Sequence, residues 1–167
     1  EDGAMEVVPG QGDLFTREVF GDQQIHIEFW LPLMKDMQGQ ARANSGVFIQ
    51  GRYEIQVLDC YGLAPESHCA GSYYNHAAPM VNAARPPEQW QTYDIVFRAA
   101  KFDDKGAMIK RPRITVIWNG VVVHDAYELP GPNAHGGPYD ERQPGPIMLQ
   151  DHHNPVKYRN IWVRPLK

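Results

Sequence analysis

An all-β fold is what this sequence predicts, and three observations predict it. Short runs of alternating apolar and polar residues recur along the chain. Glycine and proline, 15 and 14 of 167 residues, punctuate those runs. No window of about 11 or more residues sustains the apolar period of a helix. Short alternating strands between turn residues are the pattern of an antiparallel sandwich or barrel.

The first clear strand spans 25–31. Ile25, Ile27, Phe29 and Leu31 take one side, and His26, Glu28 and Trp30 the other, because strand side chains alternate. Two strands follow at 47–50 and 53–59 around a tight Gly51-Arg52 connection. In the second, Tyr53, Ile55 and Val57 suit a core, while Glu54, Gln56 and Leu58 face away from it. A carboxylate and an amide two residues apart form an acceptor and donor pair suited to sugar hydroxyls. The same pair also fits a plain solvated sheet face.

A strand over 91–98 comes next. A hairpin at 113–118 and 121–125 turns on Asn119-Gly120, a strong signal because both residues tolerate positive φ. Strands at 146–150 and 157–164 close the chain. Two long irregular stretches, 61–88 and 130–145, have the length of functional or disordered loops. The first holds Tyr73, Tyr74, His76, Asn82 and Arg85, too aromatic a set for plain disorder. No repeat or boundary divides the chain, so residues 1–167 read as one domain.

Hydrophobic residues at 43% and charged residues at 22% place the chain among soluble globular proteins. The net charge of −4, with no basic run, excludes an electrostatic nucleic-acid footprint. No apolar stretch approaches the ~20 residues of a membrane helix. The start at Glu1-Asp2-Gly3 reads as processed or trimmed, so the lack of a leader says nothing of compartment. Cys60 and Cys69 have eight residues between them. A disulfide there fits an exported protein; two buried thiols are the alternative. The spacing matches no zinc pattern.

Several motifs in order carry a family resemblance. They are Phe20-Gly-Asp22, His26-Ile-Glu-Phe29, Asn44-Ser-Gly-Val47, Gly51-Arg-Tyr-Glu-Ile-Gln-Val-Leu-Asp59 and Tyr61-Gly62. Further on come Asn82-Ala-Ala-Arg-Pro-Pro87, Trp90-Gln-Thr-Tyr-Asp-Ile-Val-Phe97, Asn119-Gly120, Gly145-Pro-Ile-Met-Leu-Gln-Asp-His152, Asn154-Pro-Val156 and Tyr158-Arg-Asn-Ile-Trp162. From about residue 10 to the end, the chain resembles the 3-keto-disaccharide hydrolase domain family, formerly a domain of unknown function. The resemblance implies a two-sheet antiparallel jelly-roll sandwich of the concanavalin-A-like lectin/glucanase type, whose concave face binds carbohydrate. It also implies a bacterial, exported protein of glycan degradation. Family members usually begin with one further strand, so one edge is expected to be incomplete or differently covered. His152-His153-Asn154-Pro155 stands where the family often has His-Gly-Asn-Pro.

Ordinary glycoside hydrolysis needs two matched carboxyls. Glucanases of this fold place them on one strand as Glu-x-Asp-x-x-Glu, whereas here Glu54-x-Gln56 puts an amide second. A 3-keto sugar needs less. The ketone acidifies the C2 proton, so one base and one oxyanion stabiliser permit elimination of the C1 substituent, followed by hydration. His152 is the first candidate base, since imidazole titrates near neutral pH, and Glu54 the second. Arg159 or Arg85 would stabilise the enolate oxygen. Glu28, Asn44, Gln56, Asp59, Tyr73, Arg85, Gln150, Asp151, His153 and Asn160 complete the expected substrate-binding set, with Glu28, Glu54 and Gln56 expected on the same concave face as His152 and Gln150. Each has a plainer reading: Asp151, His152 and His153 as turn residues, Arg159 as the partner of Glu54 or Asp59, and the tryptophans as core, with Trp30 the best sugar platform. No cofactor is required, although Glu54, Asp151, His152 and His153 could ligate a divalent cation, calcium or a transition metal. The expected partner is an oligosaccharide or glycoside. The competing reading is a non-catalytic carbohydrate-binding module, or an interaction domain using the same face.

Overall fold

The computed structural model describes residues 3–134 and 137–167. Part of the expected second loop, residues 135 and 136, therefore lies outside the described residues. Twelve strands and one short 3-10 turn make up the regular structure, with no α-helix among the described residues. β1 (Met5–Glu6), β3 (Gln23–Trp30), β6 (Trp90–Arg98), β9 (Arg113–Trp118), β10 (Val121–Glu128) and β12 (Lys157–Pro165) form one antiparallel sheet, in the order β1-β12-β3-β6-β9-β10. β2 (Leu14–Phe15), β4 (Ser45–Ile49), β5 (Tyr53–Val57) and β11 (Met148–Leu149) form a second, in the order β2-β11-β4-β5. β7 (Lys101–Phe102) and β8 (Met108–Lys110) pair as a separate hairpin.

Alternation explains how the two larger sheets meet. Ile25, Ile27, Phe29, Tyr93, Ile95 and Phe97 of the six-stranded sheet are fully buried. So are Val47, Ile49, Tyr53, Ile55 and Val57 of the four-stranded sheet. The Tyr53 and Phe97 rings lie 5.1 Å apart. The Tyr93 hydroxyl donates to the Gln56 carbonyl at 2.7 Å, and the Tyr158 hydroxyl to Ser45 Oγ at 2.7 Å. Apolar surface and a few satisfied polar groups thus join the sheets face to face.

The turns follow their residues. Asn119 and Gly120 both have positive φ, 51° and 83°, and Val121 pairs with Trp118 across them. The β4–β5 connection takes three residues, with Gln50 and Gly51 at φ 54° and 64°, and brings Ile49 opposite Tyr53. The open edge of β5 is covered by the 61–88 stretch. Gln56 N–H donates to the Ser72 carbonyl, and Tyr74 N–H to the Glu54 carbonyl. Such cover removes a bare strand edge.

One expectation fails here. The outer side of β5 is not open to water: all five of its residues are buried. β4, β5 and β11 are buried on both faces, whereas Leu14 and Phe15 of β2 are exposed.

Candidate functional site

The predicted site residues fall on opposite sides of the sandwich. Glu28 alternates with the buried Ile27 and Phe29 and so faces outward from the six-stranded sheet. Glu54 alternates with the buried Tyr53 and Ile55 and faces outward from the four-stranded sheet. Both sheets lie between them. The expectation that Glu28, Glu54 and Gln56 share one face is corrected accordingly. Parity along a strand names a face, but only sheet membership says which outer surface that face becomes.

On the six-stranded side a cluster surrounds Glu28. Arg159 Nε donates to Glu28 Oε2 at 2.6 Å, and Asn160 Nδ2 to Oε1 at 2.9 Å. Those bonds hold the Glu28 carboxyl below its ordinary range, the Asn160 amide contributing most. The Arg159 guanidinium also lies 3.9 Å over the Trp90 ring. His26 Nδ1 donates to Asp94 Oδ1 at 2.7 Å while its ring stacks on Trp162. Trp30, the expected sugar platform, lies under the Lys157 ammonium at 5.2 Å. Arg85 is exposed and donates to the Trp90 carbonyl. Arg159 and Asn160 are thereby separated from Glu54, and the expected pairing of Arg159 with Glu54 or Asp59 is replaced by one with Glu28.

The four-stranded side holds the other group. Phe48 pairs with both Glu54 and Met148, while Gly46 pairs with Gln56 and accepts from Gln150 N–H. Residues directly opposite share a face, so Met148, Phe48, Glu54, Gly46, Gln56 and Gln150 form one patch. Gly46 is required by its space. A Cβ there would stand 2.8 Å from Glu54 Oε1 and 2.6 Å from Phe48 Cε2.

Glu54 is the unusual group in this patch. It is 4% exposed, and no hydrogen bond from a described residue reaches its carboxyl. Its backbone is held by Asn133 and by the Tyr74 N–H. Burial without a partner destabilises the charged form and pushes its pKa up to about 8. Nearby, Gln150 Oε1 is buried without a hydrogen-bond partner among the described residues. A buried carboxyl and an unsatisfied buried acceptor on one patch are costly to fold.

Other predicted residues are engaged within the fold. Gln56 Nε2 and Asn44 Nδ2 both donate to Gln40 Oε1, at 3.0 and 3.1 Å, in a closed amide network. Asp59 accepts from Arg42 at 2.6 Å and from Tyr61 N–H. Tyr73 is fully buried and its hydroxyl donates to the Gly131 carbonyl, so it offers nothing to a substrate. Asp151 accepts from the backbone N–H groups of His153 and Gly12, which lower its pKa. His153 sits at φ 61°, and Asn154 Oδ1 accepts from Asn44 N–H at 2.6 Å. The 151–154 segment is thus an organised turn, with His152 exposed upon it. Cys60 and Cys69 form a disulfide, Cα atoms 5.9 Å apart. Among the described residues no three His, Cys, Asp or Glu side chains are grouped to hold a metal ion. Nor is any helix long and apolar enough to cross a membrane.

Sequence reasoning missed Gly46, Phe48, Gln40, Asn133 and Met148. Gly46 was legible only as part of a turn-like Asn-Ser-Gly. Its packing role needs the cross-strand register.

Comparison with known proteins places this geometry in a family. Residues 1–164 match the 3-keto-alpha-glucoside-1,2-lyase-like domain, and the chain belongs to that family. Three solved structures from Parabacteroides distasonis ATCC 8503, each described as a "putative glycosyl hydrolase", are similar to it. One is 39% identical with a TM-score of 0.89, covering 99% of this chain and 73% of that one. A second is 20% identical with a TM-score of 0.67, covering 99% and 88%. A third is 17% identical with a TM-score of 0.69, covering 100% and 82%. The latter two show likeness of fold alone. No functionally curated protein matches the chain. Family and neighbours together make this a carbohydrate-active, glycosidase-like domain.

Proposed function

We propose that this protein cleaves 3-keto-glycosides by elimination, with Glu54 as the base. The observation that carries the reading is a buried carboxyl, without a hydrogen-bond partner among the described residues, whose pKa is raised to about 8. In its ionised form Glu54 takes the C2 proton, and the C2–H electron pair becomes an enolate onto the C3 oxygen. Collapse of the enolate expels the C1 aglycone, which leaves as the alcohol with the proton Glu54 removed, and a C1=C2 double bond remains. Water adding its hydroxyl to C1 and a proton to C2 completes net hydrolysis. One tuned base takes the place of two matched carboxyls, consistent with an amide at Gln56 where a second carboxylate would otherwise stand.

His152, first among the sequence candidates, ranks below Glu54 because it is exposed on a turn. Arg159 has no part in this reading, being bound to Glu28 on the other sheet. Gln150 is the candidate hydroxyl-binding group, through a side-chain oxygen with no partner among the described residues. The strand order, with β11 between β2 and β4 and β12 between β1 and β3, supports the concanavalin-A-like jelly roll. The Cys60–Cys69 disulfide supports an exported location.

The test is incubation with 3-keto-glucosides and with their unoxidised parents, following aglycone release. Release from the keto compounds alone is expected. Equal cleavage of both would indicate a conventional hydrolase. Binding without turnover would indicate a carbohydrate-binding module.

A further inference from the structure

A cavity of about 780 Å³ lies at one end of the six-stranded sheet, under the β7–β8 hairpin, and shares no lining residue with the Glu54 patch. Its walls carry Arg98, Lys101, Lys110, Arg111 and Arg113 against Asp22 and Glu128. Five of the chain's 16 Lys and Arg residues, but only two of its 20 Asp and Glu, meet here in a protein of net charge −4. The local field is therefore opposite in sign to that of the whole molecule.

The cations are placed against their own interest. Arg98 pairs directly opposite Arg113 across β6 and β9, and like charges so placed destabilise a sheet. Arg113 Nη2 reaches Glu128 at 3.1 Å, and Lys101 Nζ and Arg98 Nη1 reach Asp22 at 3.1 and 3.3 Å. These basic side chains are about half exposed, so such pairs hold them weakly. Lys110 has neither an ion pair nor a hydrogen bond to a described residue through its side chain. A second cavity of about 390 Å³ shares Asp22, Ala99 and Lys101 with the first but adds both Glu141 and Arg142, the latter paired with Asp140 at 2.7 Å, so it brings no further net positive charge. The basic groove is thus the first cavity, with its five cations against two carboxylates.

We infer that this groove binds an anionic polysaccharide, a chain bearing carboxylate or sulfate groups, apart from the Glu54 site. The inference rests on the reading of the protein as carbohydrate-active. Spaced cations match repeated anionic groups, while exposed Met108 and Ile109 offer an apolar wall to sugar C–H faces. No aromatic ring lines the first cavity for base stacking, which disfavours single-stranded nucleic acid. A recess also suits a chain better than a flat anionic membrane.

The experiment is equilibrium binding to polygalacturonate, heparin and a neutral β-glucan at low and high salt. Wild-type protein is expected to bind one or both anionic polymers at least about tenfold tighter than the glucan, with binding lost as salt screens the charges. The polyuronide and heparin arms distinguish carboxylate from sulfate as the recognised group. K110E/R111E is expected to lose about tenfold or more, and the milder Lys110→Ala a smaller share, both at unchanged thermal unfolding. Glu54→Gln should bind as wild type. Unchanged binding in K110E/R111E overturns the inference, as does equal binding to the glucan. So does tighter binding to anionic vesicles or to an oligonucleotide, or loss of polymer binding in Glu54→Gln. Keto-glycoside turnover is read separately: its absence would overturn the proposed reaction and leave polymer binding standing.

Discussion

Glu54 is where chemistry and stability meet. Its carboxyl titrates at about 8 in the folded chain against an ordinary value of 4.5. Between those values the folded state holds a proton that the unfolded state has released. Stability must therefore fall as pH rises through that window, by an amount on the order of a few kcal/mol. Glu54→Gln removes the effect. The variant should match wild type near pH 4 and unfold at a higher temperature near pH 9, as calorimetry would show; identical profiles would mean that the carboxyl is not raised. The same substitution should reduce kcat on a 3-keto-glucoside by about 10²–10⁴-fold. Wild-type turnover should climb with pH and level off above about 8, where the base is ionised. Gly46 bears on the same group. Gly46→Ala places a methyl 2.8 Å from Glu54 Oε1 and 2.6 Å from Phe48. Overpacking of this kind costs about 1–3 kcal/mol, and turnover should fall with Tm because the carboxyl itself is displaced.

Among the elements, β5 depends most on its neighbours. β4 pairs with it on one side, and on the other lies the irregular 61–88 stretch, tied in by Ser72 and Tyr74. The Cys60–Cys69 disulfide closes a short loop within that stretch. Replacing both cysteines by serine should destabilise the fold by about 2–4 kcal/mol, on the order expected for a loop this short. Denaturant unfolding measures it. An unchanged midpoint would mean that the 61–88 cover is held by its hydrogen bonds alone. The strands themselves were largely legible. The 113–118 strand and the Asn119-Gly120 turn stand where alternation and turn chemistry put them. The two-residue strands β1, β2, β7 and β11 are another matter. A pair of residues contains no period, and only a neighbouring backbone makes it a strand.

At the scale of the molecule, two outer faces carry two separate polar groups. Arg159, Glu28 and Asn160 belong to one, Glu54 and Gln150 to the other. Changes on different faces should act independently. Arg159→Ala should leave keto-glycoside turnover within about twofold and cost little stability, since Arg159 is part of a partly exposed pair. The double variant with Glu54→Gln should show the sum of the single effects on stability. A large loss of turnover in Arg159→Ala alone would return that residue to the chemistry and refute the division of faces.

The sequence by itself determined the all-β class, the core faces of the 25–31 and 53–59 strands and the family. Local alternation and turn residues carry those, and they survive in any arrangement of the sheets. Tertiary structure alone decided what each outward face became. Glu28 and Glu54 have the same signature, a carboxylate between buried apolar neighbours, yet one meets Arg159 and Asn160 and the other meets no partner among the described residues. Asn44 and Gln56 look like free sugar-binding amides until the chain brings Gln40 between them. Period-two parity is local. Which residues oppose a side chain across a sheet, and whether a loop covers it, depends on contacts far apart in sequence, and burial and pKa follow from those contacts.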